Sequence, residues 1–159
     1  MSKVIIICGK VCAGKTVYAQ KLMKETNAAL LSSDEVISSL FHPNENEHHD
    51  KIIKNVHGYL LNKSVEILGC GADVILDWGF WTKAERTHIS EFYSDKNIQT
   101  QWHYLDVSQE KWLKNIEQRN QDVSEEKTTD YYVDSGLLQK LESLFEVPEK
   151  EEIDVWCEV

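Results

Sequence analysis

The first apolar stretch of the chain, KVIIIC over residues 3 to 8, is continuous and rich in β-branched side chains. A strand with one wet face alternates apolar and polar positions. One that stays apolar throughout is buried on both faces, as in a parallel sheet. The run stops at Gly9, and a helix is expected from about Lys15 to Lys24. Residues 28 to 31 (AALL) form a second short apolar run. Ser32, with Glu35 three residues later, makes a capping-box pattern that opens a short helix toward Phe41. Residues 42 to 50 (HPNENEHHD) are polar and carry a proline, which reads as a loop or lid edge. Ile53, Val56, Leu60 and Ile67 then recur at helical spacing, and Gly69 and Gly71 mark the end of a long helix.

The second half repeats the alternation. DVILD, residues 73 to 77, is the third strand, and Thr82 with Glu85 caps a helix through about Tyr93. A fourth strand spans roughly Ile98 to Leu105. A helix from Ser108 carries Trp112, Leu113 and Ile116 on one side and reaches Arg119, where the polar stretch QDVSEEKTT interrupts the pattern. A helix over about Asp130 to Phe145 and a strand near Ile153 to Cys157 complete the chain. Strands alternating with helices predict a three-layer α/β fold with a parallel sheet and helices on both faces. With no repeat and no linker, the 159 residues read as a single domain.

Composition narrows the class. Apolar residues at 42% and charged residues at 28% suit a packed globular chain and exclude a disordered one. Cys8, Cys12, Cys70 and Cys157 include no CxxC pair, so neither a zinc ribbon nor a disulfide framework is indicated. The N-terminal apolar run is too short for a signal segment, and no stretch has the length of a membrane span. A cytoplasmic protein with reduced thiols is expected. The net charge of −10 would repel a nucleic-acid backbone and favours a small-molecule partner. Oligomeric state is not legible.

Gly9, Lys10, Val11, Cys12, Ala13, Gly14, Lys15 and Thr16 spell GKVCAGKT, a match to GxxxxGK[ST] placed between a buried strand and a helix as that motif requires. Such a loop turns backbone N–H groups toward anionic phosphates at a helix N-terminus. Lys15 is expected to reach the β- and γ-phosphates of ATP, and the Thr16 hydroxyl to bind Mg²⁺.

Together with GKVCAGKT, the segments LLSSDEV, DVILDWGFWTKAER, WHYLDVSQEKWLKNIEQRN and LFEVPEKEE resemble the small P-loop kinase-like proteins of the AAA_33 domain family, relatives of chloramphenicol phosphotransferase and zeta-toxin kinases. The most specific pieces are DWGFW with the arginine of AER, and the RN pair at residues 119 and 120. The resemblance implies a five-stranded sheet in the order 2-3-1-4-5, a lid around residues 121–129, and ATP with Mg²⁺ as cofactors. Two positions depart from the family pattern. Cys12 stands where the family usually has glycine, at a position that can need positive φ. Asn115 stands where the family tends to carry an arginine, which removes one phosphate-binding charge.

Asp34 falls just past the second strand, at the carboxyl end where doubly wound sheets bind ligands. It is the candidate base for an acceptor hydroxyl, as the resemblance also implies, with a helix-capping acid as the bland alternative. Asp77 ends an apolar run in the Walker B manner, suited to a Mg²⁺-bound water or to the substrate. A strand-end acid satisfied by the next turn would look the same. Only two of the 17 bases are arginines, Arg86 and Arg119. Arg86 can face a phosphate or an acidic substrate group, or else pair with a glutamate. Arg119 can stack on adenine or clamp the transferring phosphate, or else end a helix in solvent.

Trp78, Phe80 and Trp81 suggest an aromatic rim for the substrate, or core packing. His42, His48 and His49, among Glu45, Glu47 and Asp50, read as a solvated loop rather than a metal site. Two functions remain open. One is a kinase moving the γ-phosphate of ATP to a hydroxyl of a small molecule such as an antibiotic, nucleoside, sugar or nucleotide-sugar. The other is an ATP-binding switch or regulatory protein with little turnover.

Overall fold

The computed structural model describes residues 1–41, 49–128 and 130–159. Five strands, β1 (Lys3–Cys8), β2 (Ala29–Ser32), β3 (Val74–Gly79), β4 (Gln99–Asp106) and β5 (Val155–Glu158), form one sheet. Its order is β2-β3-β1-β4-β5, every pairing is parallel, and the expected order 2-3-1-4-5 is therefore the observed one. The helices are α1 (Lys15–Thr26), α2 (Ser33–Leu40), α3 (His49–Gly69), α4 (Lys83–Ser94), α5 (Gln109–Ser124) and α6 (Ser135–Leu144). A 3-10 turn, Lys150–Glu152, precedes β5.

The continuous apolar run of β1 has a direct structural reading. Successive side chains on a strand point to opposite faces. Ile5 and Ile7 enter a core shared with Ala19, Trp112 and Ile116, whereas Val4, Ile6 and Cys8 enter a second core with Leu61, Ile89 and Tyr93. Two apolar cores on one central sheet make the three-layer architecture of a P-loop NTPase fold.

Four helices open on a side-chain oxygen: Ser32, Thr82, Ser108 and Asp134 each accept from the amide three residues on. Two boundaries differ from expectation. Helix α5 continues through the start of the polar stretch to Ser124, because Gln118 bonds Asp122 at 3.0 Å and Gln121 bonds Glu125 at 3.0 Å along its outer face. Helix α6 starts at Ser135 rather than near Asp130, because the Val133 backbone is held elsewhere and Asp134 is the cap. Among the described residues, no helix is long and apolar enough to cross a membrane.

Candidate phosphate and acceptor site

The segment between β1 and α1 is tightly folded. Gly9 donates to the Gly79 carbonyl at 3.1 Å, and Ala13 donates to the Lys10 carbonyl at 3.2 Å. A Cβ on Gly9 would meet the Leu105 carbonyl oxygen and Lys15 Cδ at 3.4 Å, the near edge of ordinary van der Waals contact. Cys12 has φ 58°, a left-handed conformation unusual for a residue with a side chain. Unlike the four capped helices, α1 opens at Gly14 (φ 97°) with no side-chain cap and no acid in its first turn. Its free amides and the positive end of its dipole are left for an external anion, which fits a nucleotide phosphate.

Lys15 bends back over the loop, and its Nζ donates to the Lys10 carbonyl at 2.7 Å. Burial lowers its pKa, against which the carboxylates of Asp77 and Asp34 pull upward. Asp77 is buried on β3, level with Ile7 of β1 and Ser32 of β2, and its Oδ2 lies 3.5 Å from the Thr16 hydroxyl. Desolvation raises the Asp77 pKa, opposed by the Lys15 charge and reinforced by Asp34. Asp34 is exposed in the first turn of α2, next to buried Ser33. Strand pairing thus brings Lys15, Thr16, Asp34 and Asp77 to one end of the sheet. A hydroxyl and a carboxylate this close form an all-oxygen donor set that suits Mg²⁺, a hard cation.

The opposite wall is α5. Residues 112, 115, 116 and 119 fall on one helical stripe. The Trp112 indole donates to the Val11 carbonyl at 2.6 Å, and the Asn115 amide donates to the Cys12 carbonyl at 2.8 Å. The Lys10 ammonium sits 3.9 Å from the Trp112 ring centroid. Arg119 lies 3.5 Å from Asp130 and 5.4 Å from the Tyr131 ring centroid. Its neighbour Asn120 forms a reciprocal pair with Val133: the side-chain amide donates to the carbonyl at 2.8 Å, and the side-chain oxygen accepts from the backbone N–H at 2.7 Å.

The remaining candidates lie elsewhere. Arg86 is 2% exposed; Nε donates to Glu152 at 2.9 Å and Nη1 to the Phe80 carbonyl at 3.0 Å. The structure therefore places it in an ion pair with a glutamate. The three aromatic residues are placed differently, with Trp78 and Trp81 half-buried. Phe80 is fully buried, Trp81 packs against the α1 side of the core, and Trp78 stacks on His57 with centroids 4.8 Å apart. A Cβ on Gly79 would come within 2.6 Å of the Trp81 indole nitrogen, so DWGFW is a tight packing motif around a glycine with φ 96°. His42, Glu45, Glu47 and His48 lie outside the described residues, while His49 and Asp50 begin α3.

Several contacts had no place among the sequence candidates. His57 Nε2 lies 3.0 Å from the Ser33 hydroxyl, next to Asp34, and burial lowers its pKa to about 4. Trp112 stood out in the sequence only as part of an apolar helix face, Asn115 as a departure from the family pattern and Asn120 as half of the RN pair, none of them with a bonding partner.

A phosphate-loop α/β sheet in this order is the three-layer P-loop NTPase fold, and sequence and structure comparisons agree with it. The AAA_33 family model, described as an AAA domain, matches residues 4–148, and the chain belongs to that family. No curated protein sequence matches the chain. Among solved structures, a provisionally named kinase from Chloroflexus aurantiacus J-10-fl superposes with TM-score 0.76 at 16% identity, over 99% of this chain and 87% of that one. Mycobacterium tuberculosis APS kinase CysC, in complex with AMPPNP and APS, gives 0.67 at 13% identity, over 99% and 88%. Chaetomium thermophilum Kti12, in complex with ADP-AlF3, gives 0.68 at 16% identity, over 98% and 88%.

Proposed function

We propose that the protein is an ATP-dependent phosphotransferase that moves the γ-phosphate to a hydroxyl of a small molecule. The observation that carries this reading is the Thr16–Asp77 pair, 3.5 Å apart beside the uncapped start of α1. Nucleotides in two similar folds, AMPPNP in the APS kinase and ADP-AlF3 in Kti12, support it.

In this reading residues 9–16 receive the phosphates, and Lys15 exchanges its bond to the Lys10 carbonyl for phosphate oxygen. Thr16 and Asp77 would hold Mg²⁺, which when bound neutralises phosphate charge. Asp34 takes the proton of the acceptor hydroxyl as that oxygen bonds to the γ-phosphorus and the β–γ bridge breaks, releasing ADP. Arg119 leaves Asp130 and turns to the phosphates or adenine, with the segment after it acting as the lid. Trp78, beside His57 and Ser33, borders the acceptor side, and Arg86 supports that side from behind through the Phe80 carbonyl.

The test is a pair of substitutions, assayed by MgADP calorimetry and by turnover on a panel of hydroxyl-bearing acceptors. Lys15→Ala is expected to weaken nucleotide binding, and Asp34→Asn to abolish transfer with binding intact. Wild-type turnover by Asp34→Asn would remove it as the base. One observation favours a switch with little turnover: Asn115 spends its amide on a loop carbonyl and brings no charge to the phosphates. Tight ATP binding without transfer to any acceptor would select that alternative.

A further inference from the structure

The two departures from the family pattern, Cys12 and Asn115, are in direct contact. A residue with a Cβ at φ 58° is strained, and such a conformation persists only where its surroundings over-determine it. Here they do so from one element. Trp112 and Asn115, one turn apart on α5, donate to the successive carbonyls of Val11 and Cys12 at 2.6 and 2.8 Å. In a trans peptide the N–H points opposite to the C=O. Holding those two carbonyls against α5 therefore directs the Cys12 and Ala13 amides away from it. The helix is a firm anchor, since Trp112 is fully buried and Ile116 lies in the same core.

We infer that Asn115 is a positioning residue for the phosphate loop: its amide fixes the peptide after Cys12 in the nucleotide-receiving conformation, a duty created by a non-glycine residue at position 12. The inference rests on the nucleotide-binding reading above. Glycine reaches positive φ without strain, so the same bond matters less when residue 12 is glycine.

A double-mutant cycle on the full chain tests this, with MgADP affinity measured by calorimetry and thermal unfolding measured without nucleotide. Asn115→Ala is expected to weaken MgADP about tenfold with Cys12 present, and less than about threefold in the Cys12→Gly background, a difference of the size that separates coupled from independent sites. Asn115→Leu, which keeps the side-chain bulk and removes the donor, should reproduce the Ala result. Equal losses in both backgrounds, or no loss in either, would overturn the pairing. Failure of both Asn115 variants to fold would make the residue a stability element and overturn it as well. A wild-type chain that binds neither MgADP nor AMPPNP would instead refute the nucleotide-binding reading itself.

Discussion

Replacing Arg86 by methionine keeps an unbranched stem in its place and removes the guanidinium. The loss can be worked from its surroundings. Arg86 is 2% exposed, and it gives up a charge-assisted bond to Glu152 at 2.9 Å and a second bond to the Phe80 carbonyl at 3.0 Å. Breaking one partner of a buried pair costs about 3–5 kcal/mol. The Glu152 side chain keeps 19% of its exposure, so part of its charge can be rehydrated and the expected cost falls to about 2–4 kcal/mol. At this chain length that corresponds to a fall in Tm of roughly 5–15 °C. Burial pushes the Glu152 carboxyl upward, but hydrogen bonds from Arg86 and from the Glu149 backbone, with the charges of Arg86 and Lys83, outweigh it and leave its pKa below the ordinary value. Its stabilising share is therefore present above the usual glutamate pKa of about 4.3 and is lost as pH falls through the lowered folded value and Glu152 takes a proton. Thermal unfolding followed by circular dichroism, paired with MgADP calorimetry at a temperature where the variant is folded, separates stability from binding. The expected result is a large drop in Tm with unchanged nucleotide affinity, and a Glu152→Gln loss that does not add fully to that of Arg86→Met. A Tm equal to wild type with turnover abolished would show instead that Arg86 acts on substrate.

Two further outcomes follow from the site's electrostatics. Because the folded pKa of Asp77 is raised, its ionised form is a net cost to the native state above the ordinary carboxylate range. Asp77→Asn should therefore raise the nucleotide-free Tm at neutral pH while weakening Mg²⁺-dependent nucleotide binding by about 10–100-fold, the usual range for a supporting carboxylate. A lower Tm in this variant would contradict the assigned charge balance. His57 stays neutral in the folded chain down to about pH 4 but titrates near 6.5 when unfolded. Wild-type stability should consequently fall as pH drops from 6.5 toward 4, and His57→Gln should flatten that slope in urea titrations. Parallel curves for the two proteins would refute it.

What the sequence reveals and conceals follows the range of the interactions. KVIIIC announces a strand buried on both faces, and the Gly9–Thr16 spacing announces the loop, because both are local patterns of backbone and side chain. Capping residues Ser32, Thr82 and Ser108 are equally local and mark three helix starts correctly. The failures have distant causes. Val133 leaves the helical pattern because Asn120, thirteen residues back, claims its backbone. Arg86 finds its carboxylate sixty-six residues away, and Trp112 finds its carbonyl across 101 residues. Asn115 left a trace only as a departure from the family pattern, which gave no hint that its amide bonds the Cys12 carbonyl 103 residues away.

The Asn120–Val133 pair reads only backbone at its far end, so it is indifferent to which side chains fill the chain between its two halves. Fixing both ends of that stretch to the body of the molecule separates the identity of the intervening residues from the integrity of the sheet. Sequence can be inserted, shortened or exchanged there at the modest cost of closing a loop of different length. The fold thereby holds a socket for interchangeable parts, in which one segment can change without redesigning the core.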